Sequence, residues 1–164
     1  MGYDRTYTRE EIHQILCMSE RRQRPGSIHH GHAISRHSEQ REDPFDRREI
    51  KQDSTFAGRK DQILAIEEAL HDPLGQAELA KLNSHGVASC SITVQLSVQL
   101  GKIKANVVLS PMAKVAKKWV VAHGPQQYLQ MVDVTSVFVL VDKLQPAPSW
   151  APLHIQTAYP RAYR

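Results

Sequence analysis

Ile92, Val94, Leu96, Val98 and Leu100 alternate without a break with Thr93, Gln95, Ser97 and Gln99. Apolar residues at every second position line one face of an extended chain and leave the other face to water, so the stretch reads as a half-buried strand. Further β-rich runs follow at short intervals: "KANVVLS", "KKWVVAHG", "QQYLQMVDV", "TSVFVLVDKL" and "PLHIQTAYP". No helical pattern separates them. Parallel strands need crossover helices, so this half of the chain is expected to form a mostly antiparallel, meandering sheet.

The residues before Ser91 follow a different period. "TREE" at Thr8 to Glu11 is a capping box, in which a hydroxyl and a carboxylate satisfy two orphan amides at a helix start. Ile12, Ile15 and Leu16 then form an apolar stripe at helical spacing. Pro25 and Gly26 end that pattern, which sets residues 1–26 apart as a lead-in helix before a main domain spanning 27–164. Residues 38–53 are densely charged and hold only Phe45 and Ile50 as large apolar residues, so they read as a surface segment. In "STFAGRKDQILAIEEALH", Ile63, Leu64, Ile66 and Leu70 recur at helical steps, with Ser54 or Thr55 as the expected cap. "DPLGQAELAKLNSHG" continues with Leu79 and Leu82 on one side and Gly86 as the expected stop. Helices first and strands after make the fold class α+β.

The chain's 164 residues fit one domain, and with aromatics at 6% branched aliphatics must fill its core. No apolar run reaches bilayer-spanning length. "MGYDRTYTREE" is polar and acidic where a secretory signal is basic and then apolar, so export is expected to depend on something else. Cys17 and Cys90 stand far apart and read as free thiols. The net charge of +4 is unevenly spread: Leu79 to Val132 holds no Asp or Glu but carries Lys81, Lys102, Lys104, Lys114, Lys117 and Lys118. A surface built from that stretch is positive, which suits nucleic acid or an acidic protein as well as it suits a lysine-solvated sheet.

The chain lacks a phosphate-binding glycine loop, GxSxG, HExxH and paired CxxC. What stands out instead is "SIHHGHAISRH", with His29, His30, His32 and His37 in eleven residues. Neither a partner cysteine pair nor an acidic cluster accompanies them, so neither a structural zinc site nor any other metal or cofactor is expected. Imidazole titrates near neutrality, and beside arginine and hydroxyl groups it suits phosphodiester cleavage. RNA brings its own nucleophile, the 2′-hydroxyl.

Three blocks, in order, carry a resemblance. "GHAISRH" at Gly31–His37, "DSTFAGRKDQILAIEEAL" at Asp53–Leu70 and "HIQTAYP" at His154–Pro160 resemble the bacterial RNase A-like toxin domain, the C-terminal tip of contact-dependent growth inhibition proteins and other polymorphic toxins. The resemblance runs from about Gly31 to Pro160. It implies a kidney-shaped α+β fold like pancreatic RNase without its disulfides, and metal-independent endoribonuclease activity that leaves a 2′,3′-cyclic phosphate. On this sequence the family's catalytic histidine falls on His32 or His37, and its arginine on Arg48, with Arg47 and Arg36 as rivals. Its threonine and tyrosine fall on Thr157 and Tyr159, two apart and therefore on one side of a strand. Arg36 and Ser54 are candidate substrate contacts, Ser54 doubling as a helix cap. The resemblance also implies an RNA substrate (tRNA being one candidate) and a cognate immunity protein, expected to be acidic. Delivery would be within a larger effector, with action in the target-cell cytoplasm. Two other readings use the same residues: a non-catalytic RNA- or protein-binding module on the basic sheet, and a metal-dependent nuclease built on the histidine cluster.

Overall fold

A computed structural model describes residues 2–21, 31, 56, 58–100, 103–106, 129–132, 134–144 and 152–161. Its helices are α1 (Arg9–Arg21), α2 (Arg59–His71) and α3 (Pro73–Lys81). Its strands are β1 (Ser89–Gln95), β2 (Ile103–Asn106), β3 (Leu129–Val132), β4 (Ser136–Lys143) and β5 (Leu153–Arg161). The α+β order read from the sequence is the observed one, but the strands do not form one meander. Among the described residues, β1, β4 and β5 make a three-stranded antiparallel sheet in that order, while β2 and β3 pair with each other.

Each helix start has a local cause. At α1 the capping box is made as expected: Thr8 N donates to Glu11 Oε2 at 2.7 Å, and Glu11 N donates to Thr8 Oγ1 at 3.1 Å. The Thr8 amide, and the Arg5 guanidinium 3.1 Å away, hold the Glu11 carboxyl below its ordinary value against the opposing effect of burial. α2 departs from expectation. Its N-cap is Gly58, in extended backbone and without a side-chain bond, so neither Ser54 nor Thr55 caps it. α3 begins with Asp72 accepting from Leu74 N at 2.8 Å and with Pro73 in the first turn, where its missing N–H costs nothing. α3 closes at Leu82, short of Gly86. The last carbonyls there are satisfied by a buried cation, since Lys143 Nζ donates to Leu82 O at 2.8 Å and Ser84 O at 3.0 Å.

The core lies between the three helices and one face of the sheet. Ile12, Ile15 and Leu16 of α1, Ala65, Ile66, Ala69 and Leu70 of α2, and Leu79 of α3 join Ile92, Val94, Val137, Val139, Val141, Ile155 and Ala158 in one cluster. β-branched residues at alternate strand positions supply the sheet's share, as the low aromatic content requires. Gly75 permits the tight turn from α2 into α3, because a Cβ there would collide with the Ala69 carbonyl oxygen. β1 is buried at every second residue but ends at Gln95, well before Leu100. The Leu96 amide still donates to Thr135 O at 2.9 Å, and those of Ser97 and Val98 then turn to the Glu68 carboxylate on α2. α1 covers the outer edge of β5: Ile155 N donates to Ser19 Oγ at 2.9 Å, and Ser19 Oγ donates to Ile15 O at 2.6 Å.

Candidate functional site

The site begins with an irregularity in β5. Its pairing with β4 runs Ser136↔Arg161, Phe138↔Tyr159, Leu140↔Thr157, then shifts to Val141↔Ile155 and Asp142↔His154. Gln156 is the extra residue of a β-bulge. In a plain ladder His154 and Thr157, three residues apart, would point to opposite faces, because side chains alternate. With it, His154, Thr157, Tyr159 and Arg161 share the face that turns away from the helices, together with Phe138, Leu140 and Asp142 of β4. The expectation that Thr157 and Tyr159 lie on one side of a strand holds in this register.

Four features mark that face. First, Thr157 is only 7% exposed, yet among the described residues its Oγ1 has no hydrogen-bond partner. Gln156 Oε1, beside it at the bulge, is likewise buried without one. A buried orphan hydroxyl carries a cost of about 1–3 kcal/mol that a ligand's oxygen would remove. Second, His154 is buried, and its Nδ1 lies 3.3 Å from Asp142 Oδ2, also buried. With the proton on Nδ1 the imidazole donates to that carboxylate, which fixes the ring and turns Nε2 into an acceptor. Third, Phe138 and Tyr159 stack across the strands with centroids 4.9 Å apart. Fourth, the Arg161 guanidinium lies 5.3 Å from the Phe138 centroid and 5.5 Å from that of Tyr159, and its Nη2 donates to the Tyr159 hydroxyl at 3.3 Å.

Gly31 is the point where the histidine-rich block meets this strand. Its N donates to Ser19 O at 3.0 Å, and a Cβ on it would stand 2.8 Å from Ile155 O and 2.9 Å from Ser19 O. Only glycine fits between α1 and β5 at that distance. His32, His37, Arg36, Arg48 and Ser54 lie outside the described residues, as do Arg47, His29 and His30. Of the residues expected at the site, the fold thus brings together Thr157 and Tyr159. Sequence reasoning missed Asp142, His154, Phe138 and Arg161. His154 stood inside the block "HIQTAYP", but strict alternation assigns it the wrong face, and nothing in the block announces a bulge at Gln156. Arg161 was legible as the next same-side position after Tyr159.

The arrangement can bind an anionic oxygen at Thr157, present a hydroxyl and a guanidinium beside it, and hold an imidazole in one orientation. Among the described residues no group of three or more His, Cys, Asp or Glu is placed to hold a metal ion. Among the same residues, no helix is long and apolar enough to cross a membrane.

No protein-family model matches the chain, and no curated protein matches it. Among solved structures it is similar to the crystal structure of a CdiA-CT/CdiI complex from Y. kristensenii 33638, with a TM-score of 0.40 and 16% identity, over 68% of this chain and 79% of that one. A likeness of that size assigns neither a fold nor an activity.

Proposed function

We propose that this chain is a ribonuclease toxin domain of the RNase A-like kind, cutting RNA without a metal and held in check by an immunity protein in the cell that makes it. The observation that carries the reading is the buried hydroxyl of Thr157, without a partner among the described residues, on the same sheet face as Tyr159 and two residues along β5 from Ile155, against which Gly31 packs. Thr157 and Tyr159 belong to the last block of the sequence resemblance, and Gly31, the first residue of its first block, packs against the same strand.

In the proposed reaction one of His32 and His37 takes the proton of the 2′-hydroxyl. The 2′-oxygen then bonds to phosphorus, the bond to the 5′-oxygen breaks, and an imidazolium returns a proton to that leaving oxygen. Atoms balance as a 2′,3′-cyclic phosphate and a free 5′-hydroxyl. Arg48, or its neighbours Arg47 or Arg36, meets the charge building on phosphorus. Thr157 and Tyr159 donate to phosphate oxygens, and Arg36 and Ser54 are further candidate contacts. The Asp142–His154 pair keeps this end of β5 fixed beneath them. The lysine-rich stretch after Leu79 gives an acidic immunity protein a complementary surface, and delivery within a larger effector would bring the domain to the target cytoplasm.

The test is purified protein incubated with total bacterial RNA in excess EDTA, read on a denaturing gel with end-group analysis. Fragments ending in 2′,3′-cyclic phosphate are expected. RNA that stays intact with chelator and is cut only with added metal moves the chemistry to a metal-dependent nuclease. RNA that is bound and never cut makes the chain a binding module.

A further inference from the structure

Arg161 takes the next same-face position of β5 after Thr157 and Tyr159, and its side chain turns back along the strand. Its root is fixed by Thr135, whose amide donates to the Arg161 carbonyl oxygen at 2.9 Å and whose hydroxyl donates to the same oxygen at 3.3 Å. Its guanidinium lies 5.3 Å from the Phe138 centroid and 5.5 Å from that of Tyr159, and Nη2 donates to the Tyr159 hydroxyl at 3.3 Å. Phe138, directly opposite Tyr159 in the register, stacks on the Tyr159 ring at 4.9 Å and fixes its plane. The phenol is thus held at both its ring and its oxygen.

Distance along the strand separates the two side chains' roles. Two residues, about 7 Å, lie between Thr157 and Tyr159, and four residues, about 13 Å, between Thr157 and Arg161. The phenol stands next to the orphan hydroxyl, and the guanidinium stands behind the phenol. A phenolic hydroxyl has one hydrogen and a pair of acceptor sites. Arg161 fills an acceptor site, so the hydrogen cannot point back at Arg161 and must be donated in another direction. A hydroxyl that accepts from a cation is also polarised into a stronger donor.

We propose that Arg161 is a positioning residue of the cleavage reaction, which orients and polarises the Tyr159 hydroxyl toward the phosphate. The inference rests on the ribonuclease reading and adds a residue that the sequence resemblance does not include. No proton leaves Tyr159. Its hydrogen bond strengthens as charge builds on the phosphate oxygens, and Arg161 keeps that bond in place beforehand. Lysine is no equal substitute, because a point charge on a flexible stem lacks the flat fork that lies over the rings.

The experiment compares the full chain with Arg161→Met, Arg161→Lys, Tyr159→Phe and the double variant Arg161→Met/Tyr159→Phe. Cleavage of an oligoribonucleotide is followed in EDTA, and spectra are taken of protein carrying tyrosine labelled with 13C at Cζ. Arg161→Met should lower kcat on the order of ten-fold with KM nearly unchanged, and Arg161→Lys should recover part of the loss. In the Tyr159→Phe background Arg161→Met should cost nothing more. The Cζ signal that disappears in Tyr159→Phe belongs to Tyr159, and it should shift in Arg161→Met, a readout that needs no activity. An unmoved signal overturns the positioning role. Equal losses from Arg161→Met in both backgrounds, or full activity in Tyr159→Phe, also overturn it and leave the ribonuclease standing. RNA left intact by the unaltered protein overturns the ribonuclease reading and this role with it.

Discussion

Thr157 carries a hydroxyl that folding has removed from water without giving it a partner among the described residues, while its strand neighbours Ile155 and Ala158 are fully buried on the opposite face. Stability and activity therefore pull in opposite directions at this position. Thr157→Val keeps the shape and removes the orphan polar atom, so the melting temperature should hold or rise. RNA cleavage should fall on the order of 10²-fold, as it does when a preorganised donor to a reacting oxygen is lost. A melt and a rate measured on the same preparation check both, and an unchanged rate removes Thr157 from the phosphate site. At Asp142 the two properties fall together: Asp142→Ala strips His154 of a buried carboxylate and should cost about 1–3 kcal/mol in chemical denaturation. Thr157 and Tyr159 were legible because a spacing of two on a strand means one face. His154 was not, because its facing depends on an unannounced extra residue.

At the scale of elements, the bulge is the feature that composes the site. Deleting Gln156 sets Ile155 and Thr157 side by side opposite Val141 and Leu140, a plain ladder in which Leu153, Ile155, Ala158 and Pro160 all stay on the core face. The expected outcome is a cooperative melt by circular dichroism that survives the deletion, and its loss would show that the bulge itself is needed. Gln156→Gly, which keeps the bulge, should fold as well. The helix starts are separable from this. Thr8→Ala removes half of the α1 capping box and should cost about 1 kcal/mol. Two carboxylates accept from backbone amides with a resolved effect on their titration, Glu11 at that cap and Glu68 on α2. At Glu68, burial would raise the carboxyl, but the Ser97 and Val98 bonds outweigh it, so both groups titrate below their ordinary value in the folded chain. Their contribution is therefore complete above the ordinary carboxylate range and is lost as pH falls through the lowered values. The capping box could be read from four letters because it is local. The true cap of α2 could not, since Gly58 offers no side chain to recognise.

For the molecule as a whole, the question is what folds together. Tyr7, Ile12, Ile15 and Leu16 are buried in the same core as the sheet, and Ser19 bonds the edge of β5. Removing residues 1–26 should therefore leave 27–164 without a cooperative melt, rather than release an independent catalytic domain. The core also predicts an alkaline limit. Burial pushes the Tyr7 hydroxyl up to about 12, with Arg5 opposing and Glu11, Tyr3 and Asp4 adding, and pushes the Cys90 thiol up to about 11, with Glu78 and Asp142 adding and Lys81 opposing. Above their ordinary values the unfolded chain gives up these protons and the folded chain keeps them. Stability is thus whole below about pH 9 and declines as pH rises through the raised values. Melting temperatures taken across that range should fall, and Tyr7→Phe should flatten the part of the fall that lies above pH 10.

Local physics is readable in letters, and it settled much of this protein: the change of period near Ser91, the α1 capping box, and the shared side of Thr157 and Tyr159 each depend on residues a few positions apart. The tertiary structure decided what depends on distant pairing. β1 pairs with β4 across the intervening β2 and β3, because hydrogen-bonding partners are chosen by register and burial rather than by order along the chain. The same choice of register creates the bulge at Gln156, carries His154 to Asp142, and sets Phe138 against Tyr159 under Arg161. A strand's alternation fixes which residues share a face only until a bulge intervenes, and whether one intervenes is settled by the strand beside it.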